Sequence, residues 1–450
     1  MINSPATSVT WEHWLDGDPD TASGGEPPWL ETQRRDAIVR VRRQGIPTSR
    51  EEGWRYTSLK ALAGQRFARR DRTAIGVSSR DIEPVLVPGL DAHRVVLVNG
   101  IFMPSLSVLD GLPDGVRVGS LREMLDSTPD ILAGRLNRLA GAGGRLFSAL
   151  NTAAMDDGFV LMLDRAVEVA CPIEIVHLAL GGDEPRLAQP RHLVVLEDGA
   201  RATLIERYLS IGEPLYCTNS VLELTLERNA VLEHHRVQTE SPNAFHLTGL
   251  YLSQAQSSHY VGHTLGLGAA WSRTDLMVRF AGQHAECDLK GLYLAGDRQL
   301  VDFHLDVDHQ VPRCASREAF KGIVYGKGRA VFDGRIHVAR DAQQTDAQLS
   351  NKNLLLSRAA EVDTKPQLEI FADDVKCSHG TTVGEIDPQA IFYLRSRGIP
   401  EAKARRMLCL GFAHEIIDGL RPKPLREYVA KEVSRRLDDV ALSHEAERRN

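Results

Sequence analysis

The sequence predicts a mainly β protein whose strand-forming centre is flanked by helical regions at both ends. Three observations predict it. Between about Asp156 and Val338 the chain is a succession of short apolar or alternating runs, FVLMLD, IEIVHLAL, HLVVLEDG, SVLELTLE, FHLTGLYL and LVDFHLDV, with the two-residue period of strands. Polar or glycine-bearing turns join these runs directly, and no long amphipathic helix separates them, so a doubly wound α/β sheet fits poorly. The segments before and after are rich in Arg, Leu and Ala at helical spacing. These changes of pattern divide the chain into a mixed, mainly helical amino-terminal domain (1–150), a β core (151–372) and a carboxy-terminal helical domain (373–450).

The amino-terminal region is typified by ETQRRDAIVRVRRQG, a helix-like segment from Glu31 that stops at Gly45. In the core a weak repeat sets a polar turn before an alternating strand. It occurs as DGARATLIE from Asp198, RNAVLEHH from Arg228, GDRQLVDFH from Gly296 and GKGRAVFDG from Gly326. Such recurrence fits the coils of a β-helix, whose inward residues stack in ladders, and it also fits a β-sandwich with similar turns. In the last region Asp387-Pro388 reads as an N-cap followed by proline at the first helical position, and Gly398 as a stop. A second helix opens at Pro400 with an apolar stripe of Met407, Leu408, Phe412, Ile416 and Ile417, and a charged helix closes the chain from Leu425.

Composition narrows the function classes. The 450 residues are 42% hydrophobic and 25% charged with a net charge of −6, ordinary values for a globular protein and unfavourable for nucleic acid as the main partner. The six cysteines, Cys171, Cys217, Cys287, Cys314, Cys377 and Cys409, are widely spaced and read as reduced thiols in the cytoplasm. The start, MINSPATSVTWEHWLDGDPD, lacks a basic n-region and an apolar h-region, and nowhere do eighteen apolar residues run together, so export and membrane insertion are not expected.

Most motif tests are negative. Gly322-Ile-Val-Tyr-Gly-Lys-Gly has three residues between its first glycines where a phosphate loop has four, and Gly328 stands where the magnesium hydroxyl belongs; no nucleotide site is expected. GxSxG and HExxH are absent. Asp302, His304, Asp306 and Asp308 would share one face of a strand, either a hard-metal or acid/base surface or an ordinary solvated face, with His309 next to them. His234-His235 point in opposite directions on a strand, and His259 and His263 have no carboxylate beside them in sequence.

The densest chemistry lies in FADDVKCSHGTTVG, Phe371 to Gly384. On extended backbone Cys377 and His379 leave the same face and could hold part of a soft-metal or iron-sulfur site. Such centres normally take four ligands, and no CxxC pair supplies the rest, so other ligands would come from elsewhere. The plain alternative is a buried cysteine beside a capping imidazole, since free cysteine is among the most buried residue types.

Longer stretches carry a resemblance. FKGIVYGKGRAVFDGRIHV from Phe320, DAQQTDAQLSNKNLLLS from Asp341, AEVDTKPQLEIFADDVKCSHGTTVG from Ala360 and AIFYLRSRGI from Ala390 closely resemble the shared core of the SufB/SufD family of iron-sulfur cluster assembly scaffolds. EEGWRYTSL at Glu51, VVLVNGIF at Val95 and LFSALNTAAMDDG at Leu146 resemble its amino-terminal part. His379-Gly380, in place of the HEAT-like text of SufB, and the lack of a cysteine-rich amino-terminal motif resemble the SufD side.

The resemblance implies a right-handed parallel β-helix flanked by helical domains, and a non-catalytic scaffold that works with SufB and two copies of the ATPase SufC. It implies that the carboxy-terminal helices dock SufC and that strands at the end of the β-helix pair with SufB. It also implies that His379, with Cys377 auxiliary, contributes part of a transient cluster site shared with SufB. Two other classes stay open at this point. One is a stand-alone β-helix enzyme on polysaccharide using the Asp302–His309 face; the other is a homodimeric cluster carrier in which two copies of Cys377 and His379 meet.

Overall fold

The computed structural model describes residues 12–15, 26–68 and 76–447. The amino-terminal stretch read above for export signals lies almost wholly outside these residues, as does the very end of the charged tail. The core is a parallel β-solenoid in which each coil gives one strand to each of two sheets. The first sheet stacks Ile173–Leu180, Arg201–Ile211, Val231–Gln238, His259–Gly266, Glu286–Ala295, Ala315–Val324, Asp346–Leu355 and Lys376–Gly384. The second stacks Arg191–Leu196, Tyr216–Leu226, Phe245–Gln254, Trp271–Phe280, Leu300–His309, Arg329–Val338 and Glu361–Ile370. Each of these neighbours is paired in parallel, which decides for the β-helix over the sandwich, because sandwich sheets are built from antiparallel hairpins.

The repeated turns have a common cause. Gly199, Asn229, Asp297 and Gly326 hold the left-handed conformation, with φ of 74°, 60°, 48° and 59°, which Gly, Asn and Asp adopt at low cost. The same conformation is taken at Ser257, His284 and Gln344, where no Gly, Asn or Asp holds the position, so the repeat looks irregular in sequence while the coils are regular in space. Between the sheets inward residues stack rung on rung. Leu222, Leu250, Leu276 and Leu305 form one such file, each at most 2% exposed. Each buried leucine contributes about 1.5–3 kcal/mol. Phe303, Phe320 and Phe332 fill the later coils, with successive ring centroids 5.7 and 5.0 Å apart.

Strands also occur outside the zone read as strand-forming. His93–Val98 joins the first sheet, and Val116–Ser120 joins the second through Phe159–Leu163. At the amino-terminal end of the stack the outermost strands are short and antiparallel, Ile101–Phe102 on His93–Val98 and Val116–Ser120 on Phe159–Leu163. Lys376–Gly384 is a strand too, so Cys377 and His379 lie on the solenoid itself. At the carboxy-terminal end Glu361–Ile370 and Lys376–Gly384 are outermost, each with a strand neighbour on one side only among the described residues.

Helices cover the outer faces. The amino-terminal helices Pro28–Gln44 and Leu146–Ala154 lie over the second sheet, anchored by the buried pair Arg191–Glu223 at 2.6 Å. Glu223 also accepts the backbone N–H groups of Asn137, Leu139 and Ala140, so a single carboxylate ties a helix start to the sheet. The helices Pro388–Ser396, Glu401–Ile417 and Lys423–Glu447 lie along the first sheet, where Ile205, Val237, Leu265, Leu292 and Ile323 pack against Ile391, Ile416, Leu420, Val429 and Leu437. Asp387 caps the first of them by accepting the N–H of Gln389, and Gly398 ends it with φ 82°. No helix among the described residues is long and apolar enough to cross a membrane.

Candidate functional site at the open end of the solenoid

Strand register places Cys377 beside Ala347 and His379 beside Leu349 on the last rung of the first sheet. Alternate residues of a strand share a face, so the two side chains belong to two adjacent inward files. One file is Cys287, Ser316, Ala347, Cys377; the other is Leu289, Glu318, Leu349, His379. Cys377 packs half-buried against the core, whereas His379 is exposed because no further rung covers it. Asp373 and Asp374, also in the Phe371 to Gly384 stretch, are exposed in the preceding turn.

Burial, the largest influence, pushes the Cys377 thiol above its ordinary value. The other five thiols are raised by burial as well, Cys314 to about 11 and Cys409 to about 12. All six are therefore protonated at neutral pH, and none is a ready thiolate. Only Cys171 and Cys377 are partly exposed. Two rungs in from His379, Glu318 is 2% exposed and neither of its oxygens makes a hydrogen bond. Burial drives its carboxyl up to about 8, which Ser316 and Arg317 oppose only in part. Sequence reasoning missed Glu318, since the strand ASREAFKGIV reveals its inward side only once register is known.

The rim is apolar. Phe371 is 62% exposed with Ile370 exposed next to it, and Val383 is exposed near the far end of the last strand. Further exposed apolar residues sit on the carboxy-terminal helices, Phe392 at 74% and its neighbour Tyr393 on the first and Met407 on the second.

The Asp302–His309 face is a latch. Asp302 accepts the Thr57 hydroxyl at 2.6 Å and an Arg273 N–H at 3.0 Å, Asp306 is paired with Arg335 at 2.8 Å, and Asp308 with His337 at 2.8 Å. Arg273 also donates to the Gly53 carbonyl and lies 3.8 Å from the Trp54 ring centroid. The segment EEGWRYTSL thus docks on this face, and each of the three carboxylates has an arginine or histidine partner. His304 touches Asp302 at 2.9 Å under the same cover, while His309 points inward to Ser316. His234 points inward to Glu206 and Tyr260, and His235 points outward toward His263, the opposed orientations expected. His259 takes a carboxylate neighbour from the next rung, Asp288 at 3.4 Å, which sequence distance conceals.

Comparison with known proteins places these features in a family. Residues 178–412 match the SUF system FeS cluster assembly, SufBD core domain, and residues 19–175 match the SufBD protein N-terminal region. The chain is 33% identical over 440 residues to the iron-sulfur cluster assembly protein SufD of Escherichia coli, covering 97% of this chain and 98% of that protein. It is 33% identical over 404 residues to an iron-sulfur cluster assembly SufBD family protein of Synechocystis, 88% of each chain. It is also 32% identical over 400 residues to the chloroplastic protein ABCI7 of Arabidopsis thaliana, 86% of this chain and 82% of that one. The chain belongs to the SufB/SufD family of iron-sulfur cluster assembly proteins, on its SufD side.

Proposed function

We propose that this chain is a non-catalytic scaffold subunit of a cytoplasmic iron-sulfur assembly complex, pairing with a SufB-like paralogue and docking a SufC-like ATPase. The observation that carries the reading is the asymmetry of the solenoid, whose edges at one end are the short antiparallel strands Ile101–Phe102 and Val116–Ser120 and at the other the ten- and nine-residue parallel strands Glu361–Ile370 and Lys376–Gly384. Unpaired edges of this length template pairing with another chain, and the exposed Ile370, Phe371 and Val383 add apolar surface to the same rim. A paralogue built on the same coil could continue both sheets. The exposed Phe392, Tyr393 and Met407 offer the ATPase a separate docking surface on the helices.

In this reading His379 is a ligand to the nascent cluster and Cys377 an auxiliary thiol, with the remaining ligands on the paralogue. The donor chemistry supports a shared site. One exposed imidazole and one protonated, half-buried thiol hold a soft metal weakly, and a nearby metal charge or partner is needed to draw the proton off sulfur. The cluster is cargo, leaving when the interface moves; ATP-driven motion of the docked ATPases, passed through the terminal helices, is the lever.

Native mass of the tagged chain co-expressed with its SufB-like and SufC-like partners tests this. A complex of one copy of each scaffold with two ATPases is expected. A chain that ignores both partners, or that carries stoichiometric iron as a homodimer, overturns the heteromeric scaffold.

A further inference from the structure

The two strand edges at the carboxy-terminal end of the solenoid differ in what their backbones offer. In a parallel sheet the N–H and C=O of one residue face the same neighbour, and successive residues alternate between the two sides. On the last strand of the first sheet the Lys376 N–H donates to the Thr345 carbonyl at 2.8 Å, so the even-numbered residues through Gly384 bond inside the molecule. Cys377, His379, Thr381 and Val383 turn their backbone groups to the open side, an unbroken row of donors and acceptors with no strand beside it among the described residues. On the last strand of the second sheet Glu361 donates to Gly328 at 3.1 Å and Phe371 to Val338 at 2.9 Å, which assigns the odd-numbered residues to the inner side. Val362, Thr364, Pro366, Leu368 and Ile370 face the open side, and the middle one has no N–H to offer.

We propose that the first-sheet edge, Lys376–Gly384, carries the strand-to-strand pairing with the paralogue, and that Pro366 guards the second-sheet edge against it. The occupant is the paralogue of the scaffold reading, on which this assignment rests. Proline belongs at a free edge, where its missing N–H costs the sheet nothing, and there it blunts pairing, because an incoming carbonyl meets ring carbons in place of a donor. It splits the second edge into two short stretches, with donors at Val362 and Thr364 on one side and at Leu368 and Ile370 on the other. The outward side chains of that strand add to the guard. Glu361, Asp363, Lys365 and Glu369 are charged, and two of them are tied back to the preceding strand, Asp363 to Arg329 at 3.2 Å and Glu369 to Arg335 at 2.9 Å. The first-sheet edge has no comparable obstacle. After Lys376 its outward residues are Ser378, Gly380, Thr382 and Gly384, and nothing lies within 4 Å of where a side chain would begin on either glycine.

This choice of edge bears on the cluster site. On the last strand the residues whose backbones face the open side are the ones whose side chains belong to the inward files. A strand paired with Cys377 and His379 therefore sets its own inward side chains in line with theirs, about 5 Å away. Donors on the paralogue then reach the nascent cluster from the adjoining strand, held in place by backbone hydrogen bonds. Pairing confined to the second sheet would bring no strand beside Cys377 and His379.

The test uses the full chain and the purified SufB-like paralogue. Hydrogen–deuterium exchange of the wild-type chain, with and without the paralogue, reads the edges directly and needs no variant to fold. Peptides covering Lys376–Gly384 should gain protection on mixing, and peptides covering Glu361–Ile370 should gain clearly less. Two matched variants follow. Thr364 and Thr381 are both half-buried and each aims its N–H at the open side, so proline at either position removes one edge donor and no backbone bond inside the molecule. Thr364→Pro also gives up the hydroxyl bond to Asn351, a cost that its melting temperature reports. Thr381→Pro should weaken capture of the paralogue about tenfold or more, and Thr364→Pro less than about threefold. Protection at Glu361–Ile370 equal to or greater than that at Lys376–Gly384, or capture lost in Thr364→Pro and kept in Thr381→Pro, overturns the assignment. A wild-type chain that captures no paralogue overturns the scaffold reading as well, whereas capture without protection of the first-sheet edge overturns this inference alone.

Discussion

Glu318→Gln should make the chain progressively more stable than wild type as the pH rises. In the folded chain burial moves the Glu318 carboxyl from 4.5 up to about 8. The unfolded chain ionises it at the ordinary value, so between these limits the folded form keeps a proton that the unfolded form has lost. For an acid raised on folding, stability is fully present below the unfolded value and is lost as pH climbs through the folded one. One proton corresponds to about 1.4 kcal/mol per pH unit, so between about pH 5.5 and 7.5 the wild type should lose roughly 3 kcal/mol that the variant keeps. Glutamine has the same shape and stays neutral; any fixed cost of burying its amide shifts the whole profile without changing its slope. Urea unfolding of both proteins at three pH values in that range gives the difference directly. Parallel profiles would refute the reasoning, because they would mean that Glu318 is either solvated or paired in the native chain.

Other perturbations separate the parts of the molecule. His379→Ala should leave unfolding free energy within about 0.5 kcal/mol, the side chain being exposed, while iron-sulfur loading of the co-expressed complex falls; loading equal to wild type would remove His379 as a ligand. Phe392→Asp should weaken capture of the ATPase partner in a pull-down without moving the melting temperature, and undiminished capture would place docking elsewhere. Glu223→Ala strands a buried guanidinium and three backbone N–H groups, and should cost about 3–5 kcal/mol in urea unfolding. A methyl at Gly322 would lie 2.1 Å from the Tyr293 ring, so Gly322→Ala should cost about 1–3 kcal/mol by the same measurement.

Strand alternation and turn chemistry carried much of this fold in the sequence. Asp198-Gly199 and Arg228-Asn229 announced turns because their residues accept the left-handed conformation, whereas Ser257 and His284 make the same turn with no such preference. Local periodicity also cannot say which rung lies next to which. That is why Asp288 went unnoticed beside His259, and why Glu318 was invisible; each gains its meaning from a residue about one coil away. The pairing of Cys377 with His379 was legible because it is local, one strand and one face. The Asp302 face was legible as polar, but its role depended on Thr57 and Arg273, which sequence spacing cannot bring together.

The state of Cys377 bears on how a scaffold would hold and release its cargo. A thiol kept protonated by burial is a poor ligand until a cation or a partner changes its surroundings. On the proposed pairing, one event does several things to that end of the solenoid: it satisfies two strand edges, covers Ile370, Phe371 and Val383, and supplies the missing donors. Ligation is then conditional on assembly, and a motion that separates the scaffolds weakens the site by removing donors while re-exposing the edges. Cargo affinity and interface energy are thereby coupled, and a ligand substitution at the rim that leaves the interface intact should lower loading without lowering complex yield. A substitution that breaks the strand edge should lower both together.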